Sequence, residues 1–226
     1  IDMNDQQSKL YEAVRATMQA SIQKIVAEKG FKRSQIQILD ALLKLRQVCC
    51  HPSLLKLDSV KIGQANSAKL EQLMDMVVPM VEEGRKILIF SQFTSMLELI
   101  EQHLHHAEIG YVKLTGKTKK RDEVITAFQS GQVPIFLISL KAGGVGLNLT
   151  AADTVIHYDP WWNPAAEDQA SDRAWRIGQD KPVFVYKLIT NKSIEEKILA
   201  LQQNKAELAQ SILSTCLLYT SPSPRD

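Results

Sequence analysis

At 226 residues the chain is long enough for one α/β domain plus an accessory piece, and at 45% apolar it can bury a sizeable core. Its 27 basic and 25 acidic side chains leave a net charge of +2, so overall charge announces no nucleic-acid partner and any such surface must come from local clustering. No apolar run approaches the ~20 residues of a membrane-crossing helix. There is no signal-peptide pattern at the start, so the chain reads as soluble and intracellular.

The N-terminal text is helical. Over 3–29, Leu10, Val14, Met18, Ile22, Ile25 and Val26 recur at three- and four-residue steps, and Gly30 ends the run. A second helix is expected from about Ser34 through Leu39, Leu42, Leu43 and Val48, stopped by Pro52. Residues 53–66 read as a loop. Ser67 caps a third helix carrying Leu70, Leu73, Met74, Val77 and Val81, in which Pro79 predicts a kink or an early end.

After Gly84 the pattern changes. Short apolar runs at 86–90, 111–114, 134–139, 154–158 and 183–189 read as buried strands. Helices are expected at 94–106, 120–129, 164–176 and 193–213. Strands alternating with helices define an α/β fold, a parallel sheet flanked by helices on both faces. In such sheets ligands bind beyond the C-terminal strand ends. That rule selects Ser91-Gln92, Thr115-Gly116-Lys117, Leu140 to Asn148, and Asp159 to Asn163.

Each of these segments has two readings when taken alone. The glycines of Ala142-Gly-Gly-Val-Gly-Leu-Asn148, preceded by Ser139 and Lys141, suit close approach to a phosphate or simply a tight turn. Arg173 and Arg176, three apart on an expected helix, suit phosphate oxygens or local pairing with Asp172 or Glu167. Lys113, Lys117, Lys119, Lys120 and Arg121 form the densest basic stretch, a phosphate grip or a solvated helix start. Trp161 and Trp162 can stack on bases or pack a loop onto the core.

Three decoys fail on spacing. Gly116-Lys117-Thr118 resembles the end of a P-loop, but the required earlier glycine falls on Tyr111, and Gly110 is one residue too far. His157-Tyr158-Asp159 lacks the paired carboxylates of a magnesium box. Cys49-Cys50-His51 has no second cluster to complete a zinc site, so no metal site is expected there.

Together the segments resemble one family. Leu45-Arg-Gln-Val-Cys-Cys-His-Pro52 resembles the block that precedes the second lobe of Swi/Snf-family ATPases. Ile87 to Phe93 looks like their motif IV, Ser139 to Leu149 like motif V, His157 to Pro164 like motif Va, and Gln169 to Gln179 like motif VI. The match covers roughly residues 40 to 205 in the family's order and looks most like its bacterial and archaeal branch, which implies a cytoplasmic, nucleoid-associated protein.

The resemblance implies a RecA-like lobe over 67–215, with 1–66 as the helical interlobe connection and protrusion. It implies a monomeric, ATP-dependent double-stranded DNA translocase, with ATP and Mg2+ held mainly by a first lobe elsewhere in the parent chain. Arg173 and Arg176 would reach the ATP phosphates. Gly144 and Gly146 would line the nucleotide cleft, and Gln169 would couple nucleotide to lobe closure. Ser91, Gln92, Ser139, Lys141 and Lys117 would contact DNA, with Trp162 on the DNA-facing loop. A strand-separating DNA or RNA helicase lobe and a passive nucleic-acid-binding module are the alternatives.

Two positions depart from the pattern. Trp175 stands where many relatives have His, and Cys50 where many eukaryotic members have Asn. The start at Ile1 is that expected of an excised fragment. Residues 216–226 resemble one reading frame of a transposon-based sequencing adapter and are expected to be an artefactual, disordered tail.

Overall fold

The computed structural model describes residues 1–56, 66–142, 147–174 and 180–203. The expected helix end and tail over 204–226 lie outside these residues.

Two long helices open the chain. α1 (Asp5–Lys29) starts at Asn4, whose side chain accepts from Gln7 N at 2.8 Å, and stops at Gly30 with φ +77°. α2 (Gln35–Cys50) returns antiparallel and buries its last turns, with Val48, Cys49 and Cys50 fully enclosed. Tyr11, Val14, Leu45, Val48, Cys49 and Leu55 form the small core of this hairpin. α3 (Ala68–Glu82) begins at Ser67, whose Oγ accepts from Leu70 N at 3.2 Å. Pro79 does not end it early. The residue is exposed and lies in the last turn, so only one backbone bond is forgone, on the solvent side, and Gly84 at φ +82° closes the helix as expected.

The sheet follows: β1 (Ile87–Ser91), α4 (Thr94–His106), β2 (Tyr111–Leu114), α5 (Arg121–Gln129), β3 (Ile135–Ser139), β4 (Thr154–His157), α6 (Pro164–Ser171), β5 (Phe184–Lys187) and α7 (Ile194–Gln203). All pairings are parallel, in the order β2-β3-β1-β4-β5.

Strand alternation sends successive residues to opposite faces, and the two cores obey it. Ile87 and Ile89 pack with Ile135, Leu137 and Ile156 against α3 and α4. Leu88 and Phe90 pack with Phe136, Ile138 and Val155 against α5, α6 and the β3–β4 connection. This division is what right-handed crossovers require. The chain leaves β1 in one direction across the sheet through α4. It then moves in the other direction through every later connection, which places those connections on the opposite face. The expected parallel α/β sheet is therefore observed.

One helix is shorter than its sequence pattern. α6 ends at Ser171, and Asp172 to Ala174 form a turn. The Arg173 carbonyl leaves the helical ladder to accept from Leu149 N at 3.1 Å. Arg173 therefore lies beyond the end of α6, and the expected partner position Arg176 lies outside the described residues.

Candidate nucleic-acid and nucleotide interface

β1 and β3 are neighbours whose outgoing connections cover opposite faces, so the crevice beyond their C-terminal ends is the sheet's switch point. A cavity of about 480 Å³ opens there. Gln92 lines it from the end of β1, Thr94 and Glu98 from the start of α4, and Ser139 and Lys141 from the end of β3. Lys113 and the Thr115–Thr118 turn complete it from β2.

Lys117 and Lys141 are exposed, and among the described residues neither takes part in an ion pair. α4 begins here without a side-chain cap, so its first amide N–H groups are available to an anion. The decoy at 116–118 has a clear structural role. Thr118 Oγ1 accepts from Thr115 N at 3.0 Å and Thr115 Oγ1 from Lys117 N at 3.3 Å, making a compact turn that forms the crevice wall.

The rest of the basic stretch divides. Lys113 pairs with Glu101, and Lys120 pairs with Glu123 at 2.9 Å on the surface. Arg121 donates to the Ala142 carbonyl at 2.8 Å, bracing the stem of the loop that follows β3.

Ser91 does not present its hydroxyl to the crevice. It is fully buried, donates to Asp159 Oδ1 at 2.5 Å and accepts from Phe93 N at 3.1 Å. At this position, expected to contact DNA, the hydroxyl serves as an internal strut joining β1 to the loop after β4. Gln92 is also tied inward: its backbone N donates to Asp159 Oδ2 at 3.2 Å and Nε2 to the Pro160 carbonyl at 2.8 Å. Burial lifts Asp159 to a pKa of about 6, with the Ser91 hydrogen bond pulling it back. Ser139 is 3% exposed and accepts from Ala142 N at 3.3 Å, yet still reaches the crevice wall.

Trp161 and Trp162 behave differently. Trp161 is half-buried and its backbone N–H donates to Glu167 Oε1 at 2.7 Å, whereas Trp162 is 39% exposed. Glu167, a candidate partner for Arg173 in sequence, pairs with other residues. It is 1% exposed and pairs with Lys187 at 2.9 Å, while Gln202 of α7 donates to it at 2.9 Å. Nothing in the local sequence marks Gln202, and the roles of Glu167 and Asp159 are set by partners from distant elements that local spacing does not encode.

On the other side of the β3–β4 connection, Arg173 is 8% exposed. Burial depresses its pKa, and the charge of Arg121 adds to the effect. Gln169 is exposed on α6. Gly144, Gly146 and Arg176 lie outside the described residues.

This architecture, with motif-bearing loops at the C-terminal edge of a five-stranded parallel sheet, is that of the second lobe of a helicase-type motor. Residues 68–178 match the helicase conserved C-terminal domain. The SWI2/SNF2 ATPase C-terminal domain of Sulfolobus solfataricus superposes with a TM-score of 0.73 at 35% identity, over 93% of this chain and 86% of that one. The chain therefore belongs to the SWI2/SNF2 ATPase family.

The S. solfataricus SWI2/SNF2 ATPase core in complex with double-stranded DNA matches at TM-score 0.76 and 36% identity, over 95% of this chain and 45% of that one. A putative ATP-dependent helicase/translocase of Bacillus subtilis, YwqA, is 36% identical over 95% of this chain and 23% of its own length. The ISWI chromatin-remodeling complex ATPase ISW1 of Saccharomyces cerevisiae is 35% identical over 94% of this chain and 20% of its own length. The chain thus spans about a fifth of the curated relatives it matches.

Proposed function

We propose that this lobe is the arginine-bearing half of an ATP-driven motor that moves along double-stranded DNA. The observation that carries the reading is the crevice between β1 and β3: a cavity of about 480 Å³ with Lys117, Lys141 and the uncapped start of α4 converging on it. Two exposed cations and a helix N-terminus form a receptor for consecutive phosphates and make no demand on base identity. A motor that steps along any sequence needs that kind of grip. The solved relative holding double-stranded DNA supports it.

ATP would lie between this lobe and a first lobe that supplies the P-loop and the acidic pair. Mg2+ would be held mainly by that first lobe; among the described residues of this chain no group of three or more His, Cys, Asp or Glu could hold a metal ion. Arg173, with Arg176, would meet the phosphates as charge develops on them. The site fits an anion, because burial and the positive field of Arg121 make the Arg173 cation costly, and a phosphate beside it would offset that cost. Lobe closure on ATP and reopening after hydrolysis would alternate the phosphate grip and so step it along the strand. On this reading the 226-residue chain alone turns over no ATP.

The test is Lys117→Glu with Lys141→Glu in the full-length ATPase. The duplex concentration needed for half-maximal stimulation of turnover should rise about tenfold or more, with a salt dependence lower by about two phosphate contacts. An unchanged requirement for duplex would place the DNA grip elsewhere.

A further inference from the structure

Arg46, near the end of α2, is 8% exposed, and its guanidinium joins three segments of the chain. Nη2 donates to Oε1 of Gln92. The guanidinium carbon lies 5.6 Å from the ring centroid of Phe93 and 5.9 Å from that of Trp162. Gln92 passes the connection on through Nε2 to the Pro160 carbonyl at 2.8 Å. The last turns of α2, the β1–α4 loop and the β4–α6 loop therefore meet on one cation.

The choice of cation is informative. Among the described residues Arg46 has no carboxylate partner in an ion pair; an amide oxygen and two aromatic faces hold it instead. Burying a charge without a counter-charge is expensive. A planar guanidinium can satisfy all three neighbours at once, by a fork of N–H donors in its plane and stacking above and below it; a lysine ammonium cannot. It also leaves positive potential uncancelled beside Gln92, which lines the crevice.

We propose that Arg46 is a positioning residue for DNA: it locks the β1–α4 and β4–α6 loops together through the Gln92 amide and orients the exposed Trp162 ring toward the duplex backbone. Through it, the helical lead-in helps shape the grip of the lobe. The inference rests on reading the β1–β3 crevice as a DNA cradle.

The experiment uses the full-length ATPase with a short labelled blunt duplex, reading the dissociation constant by anisotropy and turnover at saturating duplex. Arg46→Met should weaken duplex binding about tenfold and Arg46→Lys less, with saturated turnover changed by about twofold at most. Adding Trp162→Ala to Arg46→Met should cost less than about another twofold, because the ring has already lost its orientation. If Arg46→Met fails to fold, judged by its thermal transition, Arg46→Lys with and without Trp162→Ala carries the same comparison. Wild-type affinity in the Arg46 variants, or losses that simply multiply, would overturn the proposal while leaving the cradle intact. A wild-type enzyme that does not bind duplex would overturn the cradle and this proposal together.

Discussion

Arg173 sits just past the end of α6, its backbone carbonyl held by Leu149 N and its side chain 8% exposed beside Arg121. If it meets ATP phosphates, Arg173→Ala in the full-length ATPase should lower turnover on the order of 10³-fold, as should Arg176→Ala. Arg173→Lys should rescue little, because the fork is lost even though the charge stays. Near-normal steady-state turnover in these variants would remove the arginines from the chemistry.

His157 offers a separate test at this scale. It is 1% exposed at the end of β4, and burial holds its pKa down to about 4 against the pull of Glu167. The unfolded chain therefore binds a proton that the folded chain refuses between pH about 6.5 and about 4, so this group's contribution to stability is lost as pH falls through that window. Asp159, raised to about 6 by burial, works in the opposite direction: the folded chain takes its proton first, and stability from it grows as pH falls from about 6 toward 4. His157→Gln removes only the first slope. Relative to wild type, the variant should gain up to about 3 kcal/mol between pH 6.5 and 4, read from urea midpoints. Parallel curves for the two proteins would contradict the assignment.

Among elements, the joint between α3 and α7 is the most exposed to a single change. Lys69 and Glu195 form an ion pair with both side chains 1% exposed, and the same carboxylate accepts from Thr190 N at 2.9 Å. Lys69→Met leaves Glu195 charged and enclosed, and should cost about 3–5 kcal/mol of unfolding free energy. Lys69→Met with Glu195→Leu should recover part of that loss, short of wild type because Thr190 N–H then lacks its acceptor. Equal denaturation midpoints for single and double variants would contradict a desolvation cost.

Elements were also where the sequence was most legible. Short runs such as Ile87 to Phe90 and Ile135 to Ile138 carry both faces of a buried strand, and glycine or proline marks their ends. Features set by a distant partner were not legible. α6 gives up its last expected turn because Leu149 claims the Arg173 carbonyl. Ser91 turns inward because Asp159 is there to accept its hydrogen bond. Arg46 stood inside a recognisable block, but its contacts come from residues about 46 and 116 positions further on, and no local periodicity encodes those.

For the whole molecule, direction of crossing decides function. One connection leaves β1 across one face and every later connection crosses the other, which opens a crevice beside β1 and gathers loops from three strands around it. Lys141 and Arg173, the residues proposed to face DNA and nucleotide, then sit against the start and the later part of the β3–β4 connection, with Arg121 bonded to its stem. That arrangement suits a motor in which phosphate chemistry and backbone grip change together. The most direct measurement is displacement of a third strand from a blunt duplex by the full-length ATPase. The account predicts ATP-dependent release of the third strand with the underlying duplex left paired, abolished by Arg173→Ala. Separation of the duplex strands, or turnover with no release of the third strand, would contradict it.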